Sequence, residues 1–193
     1  DLSLNSLVPN RGPISGGNTV TIVGTGFSPN AIFAFDRVRC ANLEIINSSR
    51  ARCQVPEGFE AASVSVTAYD ERMVEGMIEP QQVILDEAYT YFVPLTVDQI
   101  IPERGPSQSN TRVTVVGEGF TEGTTVVSFG GVRALSVEVL PNGTLSAVAP
   151  PGDVGRVDVT VLNENGQVRL EEGFYYYERL EILGLSPAVG PLD

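Results

Sequence analysis

One pattern occurs twice in this chain at a constant spacing. Pro9-Asn10-Arg11-Gly12-Pro13 is followed by Gly16-Gly17 and then by Val20-Thr21-Ile22-Val23-Gly24-Thr25-Gly26-Phe27. Pro102-Glu103-Arg104-Gly105-Pro106 leads to Val113-Thr114-Val115-Val116-Gly117-Glu118-Gly119-Phe120, each member 93 positions after its counterpart. The opening returns as Pro187, Gly190 and Pro191. A fixed period of this size means one folding unit used repeatedly. The 193 residues therefore read as a first domain at 1–93, a second at 94–179 and the truncated start of a third at 180–193. Domains of this length bury only about 60–65% of their unfolded surface, so each core is small.

Within each copy the local pattern is that of strands. Leu2, Leu4 and Leu7 alternate with polar residues, as do Leu95, Val97 and Ile100, and each run stops at a proline that cannot donate to a ladder. Gly12-Pro13 and Gly105-Pro106 then mark a turn. Residues 19–23 and 112–116 are rich in β-branched side chains, and the Gly-x-Gly that follows suits a bend with Phe27 or Phe120 anchored in the core. Residues 31–35 and 125–129 read as the next strands, with Val38 and Val132 in a short return. Asn142-Gly143 and Asn165-Gly166 predict type I′ hairpins, with positive φ at both central residues. Val64 and Val66 match Val157 and Val159, and each copy closes on an aromatic strand, Tyr89-Thr90-Tyr91 or Phe174-Tyr175-Tyr176. About seven short strands per copy and no convincing helix give an all-β chain of tandem β-sandwiches. The linker Phe92-Val93-Pro94 is short and lacks a Gly or Ser run, which predicts a semi-rigid joint.

Composition removes several kinds of chemistry. The net charge is −12, every basic residue is Arg, and there is no His. An acidic surface repels phosphate backbones and anionic lipid, so nucleic acid and direct membrane insertion are not expected partners. No apolar run reaches the roughly 18–20 residues that span a bilayer. Without His there is no Ser-His-Asp or Cys-His arrangement, and two cysteines alone build no structural zinc site. The Gly-x-Gly pairs lack the third Gly and the following helix of a dinucleotide loop. No cofactor, metal or catalytic residue is expected. Asp86-Glu87 and Glu171-Glu172 recur before the closing strand. They read as a solvated turn that keeps an edge from pairing, with calcium as the less favoured alternative.

Cys40 and Cys53 are the only cysteines, and copy two places Ala134 and Ala147 at the matching positions. Cysteines present together in one copy and absent together in the other behave as a pair. A disulfide, and with it an oxidising compartment, is the expectation; two buried thiols are the alternative. Asn47-Ser48-Ser49 and Asn142-Gly143-Thr144 fit the N-glycosylation pattern.

These residues resemble the IPT/TIG family of immunoglobulin-like domains. The family's marks are a Pro-x-x-Gly-Pro opening, a Gly-Gly, a Gly-x-Gly-Phe bend, a Cys-x-x-Pro stretch and a Phe-x-Tyr end. Copy one carries Pro9/Gly12/Pro13, Gly16/Gly17, Gly24/Gly26/Phe27, Cys53/Pro56 and Tyr89/Tyr91; copy two carries Pro102/Gly105/Pro106, Gly117/Gly119/Phe120, Ala147/Pro150 and Phe174/Tyr176. Copy two departs at Ser109-Asn110 and at its lost cysteines, copy one at Tyr89. The resemblance implies early-Ig-like (E-set) sandwiches of the kind found in cell-surface receptors such as plexins, bacterial surface proteins, secreted polysaccharide-acting enzymes and certain transcription factors.

The leading expectation is a non-enzymatic extracellular or cell-surface array, the stalk and adhesion or partner-contact segment of a larger protein. It would meet a protein or glycan at a cell surface and further IPT/TIG domains of its own chain. The runner-up is a glycan-binding or spacer module of a secreted polysaccharide-acting enzyme. A DNA-binding domain is disfavoured by charge and by the cysteine pair. Two places are candidate contacts. Tyr175 and Tyr177 face outward if Phe174 and Tyr176 face inward, where they meet a partner or cover the junction with a next domain. Copy one is also longer by about eight residues between Tyr69 and Gln82. That extension holds Met73, Val74, Met77 and Ile78, and Met adapts to irregular partners. The i, i+4 spacing of its Met and Glu residues predicts one helical turn. Folding back to bury its apolar side chains on its own domain is the bland and favoured outcome, partner contact the sharper one.

Overall fold

The computed structural model describes residues 1–74 and 76–180. The third opening motif, from Pro187, lies outside the described residues. The chain divides after Pro94 into two compact units.

The first unit holds β1 (Ser3–Val8), β2 (Arg11–Pro13), β3 (Thr19–Thr25), β4 (Ile32–Phe35), β5 (Val38–Arg39), β6 (Ala41–Asn47), β7 (Arg50–Gln54), β8 (Ser63–Val74) and β9 (Met77–Phe92). The second holds β10 (Gln99–Ile101), β11 (Arg104–Pro106), β12 (Thr111–Val116), β13 (Val126–Phe129), β14 (Val132–Arg133), β15 (Val137–Val139), β16 (Leu145–Ala149), β17 (Gly155–Asn163) and β18 (Gly166–Tyr177). Each unit has two sheets in the same order. They are β1-β3-β7-β6 with β2-β9-β8-β4-β5, and β10-β12-β16-β15 with β11-β18-β17-β13-β14. The described chain is all-β, without helix. Three strands, β8, β9 and β18, of 12, 16 and 12 residues, are much longer than the short strands expected.

The Gly12-Pro13 and Gly105-Pro106 steps are not turns. They are short strands, β2 and β11, that pair in parallel with the closing strand, Gly12 opposite Tyr91 and Gly105 opposite Tyr176. The chain thus leaves one sheet at Pro9 or Pro102, through a cis peptide bond in each case, and enters the other. The turn comes one step later, where Gly16 N–H donates to the Pro13 carbonyl. Glycine is required in the crossing strand by close approach. A Cβ on Gly12 would lie 2.0 Å from the Tyr89 hydroxyl, and one on Gly105 2.0 Å from Thr111 Oγ1. Gly26 and Gly119 take positive φ at the predicted bends. Phe27 is buried below its bend, whereas Phe120 is half-buried.

Two recurrent marks are joined by one hydrogen bond per unit. Tyr91 Oη donates to the Pro56 carbonyl at 2.9 Å, and Tyr176 Oη to that of Pro150 at 2.7 Å. The tyrosine can therefore be buried without an orphaned hydroxyl. Around it the rings meet edge to face: Phe35–Tyr89 at 5.2 Å and Tyr89–Tyr91 at 5.1 Å, against Phe129–Phe174 at 5.2 Å and Phe174–Tyr176 at 5.0 Å. Such pairs contribute about 0.5–1.5 kcal/mol beyond area burial. Cys40 and Cys53 form a disulfide with Cα atoms 5.9 Å apart.

The hairpin at 140–144 corrects the turn type. Gly143 N–H bonds the Leu140 carbonyl and Leu140 N–H the Thr144 carbonyl, with positive φ at Gly143 but not at Asn142. Pro141 holds φ near −65° at the first central position, so the turn is type I with a bulged Gly. At the other site the turn is centred on Glu164-Asn165, one residue earlier than expected, and Asn163 pairs with Gly166.

Candidate functional site

The 69–82 extension is a β-hairpin, not a helical turn. β8 and β9 stay paired from Tyr69–Gln82 out to Val74–Met77, with Gly76 at φ +85° in the tip. Cross-strand pairing bonds alternate N–H groups along the whole hairpin, whereas a single isolated helical turn around Gly76 fixes several residues for about one bond. β4 accompanies β8 only as far as Tyr69, which pairs with Ile32. From Asp70 onward, among the described residues, the hairpin stands beyond the sheet.

Asp70 anchors its base. It is buried, and its carboxylate accepts from Ser28 N–H at 2.8 Å, Ser28 Oγ and Glu71 N–H at 2.8 Å. This residue belongs to the stretch expected at the surface; burial follows because it clamps the β3–β4 connection. The exposed Arg72–Asp1 ion pair at 3.0 Å adds little.

Register and the two-residue period of strands sort the remaining side chains. Met73 pairs with Ile78, Glu71 with Pro80, Tyr69 with Gln82 and Thr67 with Ile84, so these share one face. Arg72–Glu79 and Val74–Met77 share the other; the side chain of Val74 lies outside the described part. On the first face Met73 is 70% exposed, Ile78 63%, Ile84 53% and Tyr69 41%. Met77 is 66% exposed on the second. The extension therefore does not fold back to bury these side chains. Tyr69 and Ile84 were not singled out in the sequence. Their apolar alternation is visible only once the register places residues 67–73 opposite 78–84.

The other candidates sit in the second unit. Phe174 and Tyr176 are buried, Tyr175 is exposed and Tyr177 is half-buried, so the inside–outside alternation holds. Tyr175 lies opposite Arg104 on β11 and Arg156 on β17, with the Arg156 guanidinium 5.9 Å from its ring centroid. The structure thus brings Met73 and Ile78 together as a cross-strand pair, and leaves Tyr175 and Tyr177 in the other unit.

The repeated acidic pairs are neither turns nor edge guards. They form a bulge inside a paired strand, where Ser65 faces residues 86–88 and Asp158 faces residues 171–173. Glu87 and Glu172 take φ +49° and +52° there. Asp158 holds its bulge by accepting from Glu172 N–H at 2.8 Å and from Arg169. Those bonds hold its carboxyl below the usual range, the backbone N–H contributing most. Among the described residues no three Cys, Asp or Glu side chains converge.

Comparison with known proteins agrees with this geometry. The family model described as the IPT/TIG domain matches residues 2–76 and 95–177. Human fibrocystin-L is 31% identical over 131 residues, which cover 63% of this chain and 3% of that protein. Mouse plexin-A4 is 25% identical over 192 residues, covering 95% of this chain and 10% of that protein. The chain therefore spans a small fraction of the curated relatives it matches. A structure solved with a xylogluco-oligosaccharide shares the fold at TM-score 0.50 and 12% identity, over 89% of this chain and 41% of that one.

Proposed function

The chain belongs to the IPT/TIG family, with two copies in tandem, and from that premise we propose that it is a non-catalytic extracellular segment of a larger protein. One sheet face of its first copy makes a specific contact. The disulfide supports the compartment, because such bonds persist where the environment is oxidising. The single observation that carries the contact is the apolar face of the β8–β9 hairpin, where Met73 and Ile78, on a segment that copy two lacks, are exposed in line with Tyr69 and Ile84. Pro80 has no N–H to offer a new strand, and Glu71 and Glu79 discourage edge pairing. The contact is therefore made by side chains on the face rather than by strand addition. A partner protein is its occupant.

A shortened chain tests this. Asp70 pairs with Gln81 as Asn163 pairs with Gly166. Replacing residues 71–80 by Glu-Asn thus reproduces the turn of copy two. The fluorescent, multimerised chain is titrated on cells of its own source. Removing an anchor cluster of this kind weakens binding about tenfold or more. Equal binding by the folded, shortened chain overturns the assignment. Oligosaccharide binding that survives the shortening and disappears with Tyr175→Ala supports the polysaccharide-enzyme reading instead.

A further inference from the structure

The two asparagine sequons occupy the same hairpin of each unit. Asn47-Ser48-Ser49 closes β6 onto β7, and Asn142-Gly143-Thr144 closes β15 onto β16. Both asparagines are exposed. Their side chains make the same local bonds. Asn47 Oδ1 accepts from Ser49 N–H at 2.9 Å and Ser49 Oγ at 3.0 Å. Asn142 Oδ1 accepts from Thr144 N–H at 3.2 Å and Thr144 Oγ1 at 2.8 Å. In each case the carbonyl end of the amide is engaged, while Nδ2 donates to no protein group among the described residues.

A turn of this shape needs only a side-chain acceptor at its first position, and Asp supplies one as well as Asn. The chain is rich in carboxylates, with 24 Asp and Glu, yet both turns carry Asn. The middle residue differs, Ser48 against Gly143, and the third is Ser49 against Thr144. What the two copies share is the amide followed two positions on by a hydroxyl, which is the acceptor pattern for N-glycosylation. Turn geometry explains the oxygen; it does not explain the free nitrogen.

We infer that Asn47 and Asn142 are both N-glycosylated, and that the paired glycans shield one sheet of each unit while leaving the other bare. The donor is a polyprenyl-diphosphate-linked oligosaccharide. Asn Nδ2 bonds to the anomeric carbon of the reducing-end sugar as the bond from that carbon to the diphosphate oxygen breaks. One Nδ2 proton passes to a base of the transferase, and polyprenyl diphosphate leaves. No oxidation or reduction is involved. Strands β6 and β15 are the outermost members of their sheets. A glycan at the end of each covers an edge that is otherwise open to pairing with another chain. The sheet that carries the β8–β9 hairpin bears no sequon, so its apolar face remains accessible. The inference rests on the extracellular placement proposed above.

The test uses protein recovered from its own source cells, with location scored first by biotinylation of intact cells. Peptide N-glycosidase in heavy-oxygen water converts a glycosylated Asn to a labelled Asp, read by peptide mass. The label is expected at both Asn47 and Asn142. Asn47→Asp with Asn142→Asp keeps the turn acceptor, so this variant folds, loses the mass shift and self-associates more. A surface-labelled chain without the mark at either asparagine overturns the inference and leaves the placement standing. An intracellular chain with unmarked asparagines overturns both.

Discussion

The two copies hold one topology by different means, and the differences fall at the points where a buried polar group must find a partner. In the first copy Tyr89 Oη donates to Asn18 Oδ1 at 3.0 Å. In the second the corresponding residues are Phe174 and Thr111, and the buried Thr111 Oγ1 has no hydrogen-bond partner among the described residues. In the first, Asp70 clamps the β3–β4 connection from the base of a long hairpin. In the second, Asn163 occupies that position and donates to the Gly119 carbonyl at 2.8 Å and to Thr125 Oγ1 at 3.1 Å, while accepting from Asn165 N–H. The first copy has a disulfide where the second has two alanines, although Cys40 N–H and Ala134 N–H donate to the matching carbonyls of Phe33 and Val127. Each copy changes a partner pair together. That couples the residues more tightly than their sequence separation indicates.

The largest effect expected is that of the disulfide. Cys40→Ala with Cys53→Ala should destabilise the first unit by about 3 kcal/mol, the chain-entropy value for a loop of this size. Amide exchange should accelerate in residues of unit one and stay unchanged in unit two. Installing Ala134→Cys with Ala147→Cys should confer a gain of the same order on unit two. Equal exchange in both units after the first change would show that the cross-link stabilises nothing. In the native, unreduced protein no thiol should be alkylated.

Next come the clamps. Asp70→Ala leaves two N–H donors at the hairpin base without their acceptor, and should cost about 1–3 kcal/mol. Asn163→Ala should cost a similar amount in unit two. Only Asp70→Ala should also loosen a contact face, since the second copy turns at Glu164-Asn165. Exchange of amides along 71–73 and 77–79 separates the two effects. Their unchanged protection in Asp70→Ala would mean that the hairpin holds itself without the clamp.

What was legible in the sequence follows the same division. The closing aromatic strand, the cysteine pair and the inward Phe174 and Tyr176 were legible because their patterns report burial, which repeats with strand period. The Gly12-Pro13 crossing was not. Gly-Pro has the local chemistry of a turn, and only the parallel pairing with β9 makes it a strand. The hairpin was misread as a helical turn because Met73 and Met77, and Glu71, Glu75 and Glu79, stand four apart. Strand pairing instead turns the chain back at Gly76, so Met73 and Met77 fall on different strands and on opposite faces of the hairpin. The exposed Tyr69–Ile84 face depends on register, which the bulge at Glu87 shifts, and nothing local in the sequence sets that shift.

The tyrosine difference predicts a smaller, pH-dependent contrast. Tyr89→Phe should cost about 1–2 kcal/mol by leaving the Asn18 side-chain oxygen without its donor. Burial pushes the Tyr91 hydroxyl up to about 12, with Tyr89 and Asp36 adding to it. Burial also raises Tyr89, against the lowering effect of the Asn18 bond. Because these folded values lie above the unfolded one, the stabilisation is complete below about pH 10 and is lost as pH rises through the folded values. Unit one carries two such residues and unit two one, Tyr176, raised by burial. Unit one should therefore lose stability more steeply than unit two on alkalisation, and Tyr89→Phe should reduce that slope whatever its cost at neutral pH. A steeper dependence in that variant would break the account.

The smallest effect lies at the bulge, on the acid side. Ser65 Oγ donates to Asp86 Oδ1 at 3.0 Å in the first copy, whereas Asp158 accepts from Glu172 N–H and Arg169 in the second. The Asp158 carboxyl titrates below its ordinary value. A depressed folded pKa gives stabilisation that is present above the unfolded value and lost as pH falls through the folded one. Asp158 is half-buried and its partner Arg169 is exposed, so the change is small and salt weakens it. Asp158→Asn keeps an oxygen for Glu172 N–H and removes the charge facing Arg169. The variant should lose the acid-dependent part of unit two's stability and keep the bulge, seen as retained protection of the Glu172 amide. Glu172→Gly would relieve the left-handed backbone at φ +52° without touching the ion pair. If Asp158→Asn leaves the acid unfolding of unit two unchanged, the Ser65–Asp158 exchange between copies is neutral. The backbone bond alone would then account for why an acceptor is found at that position.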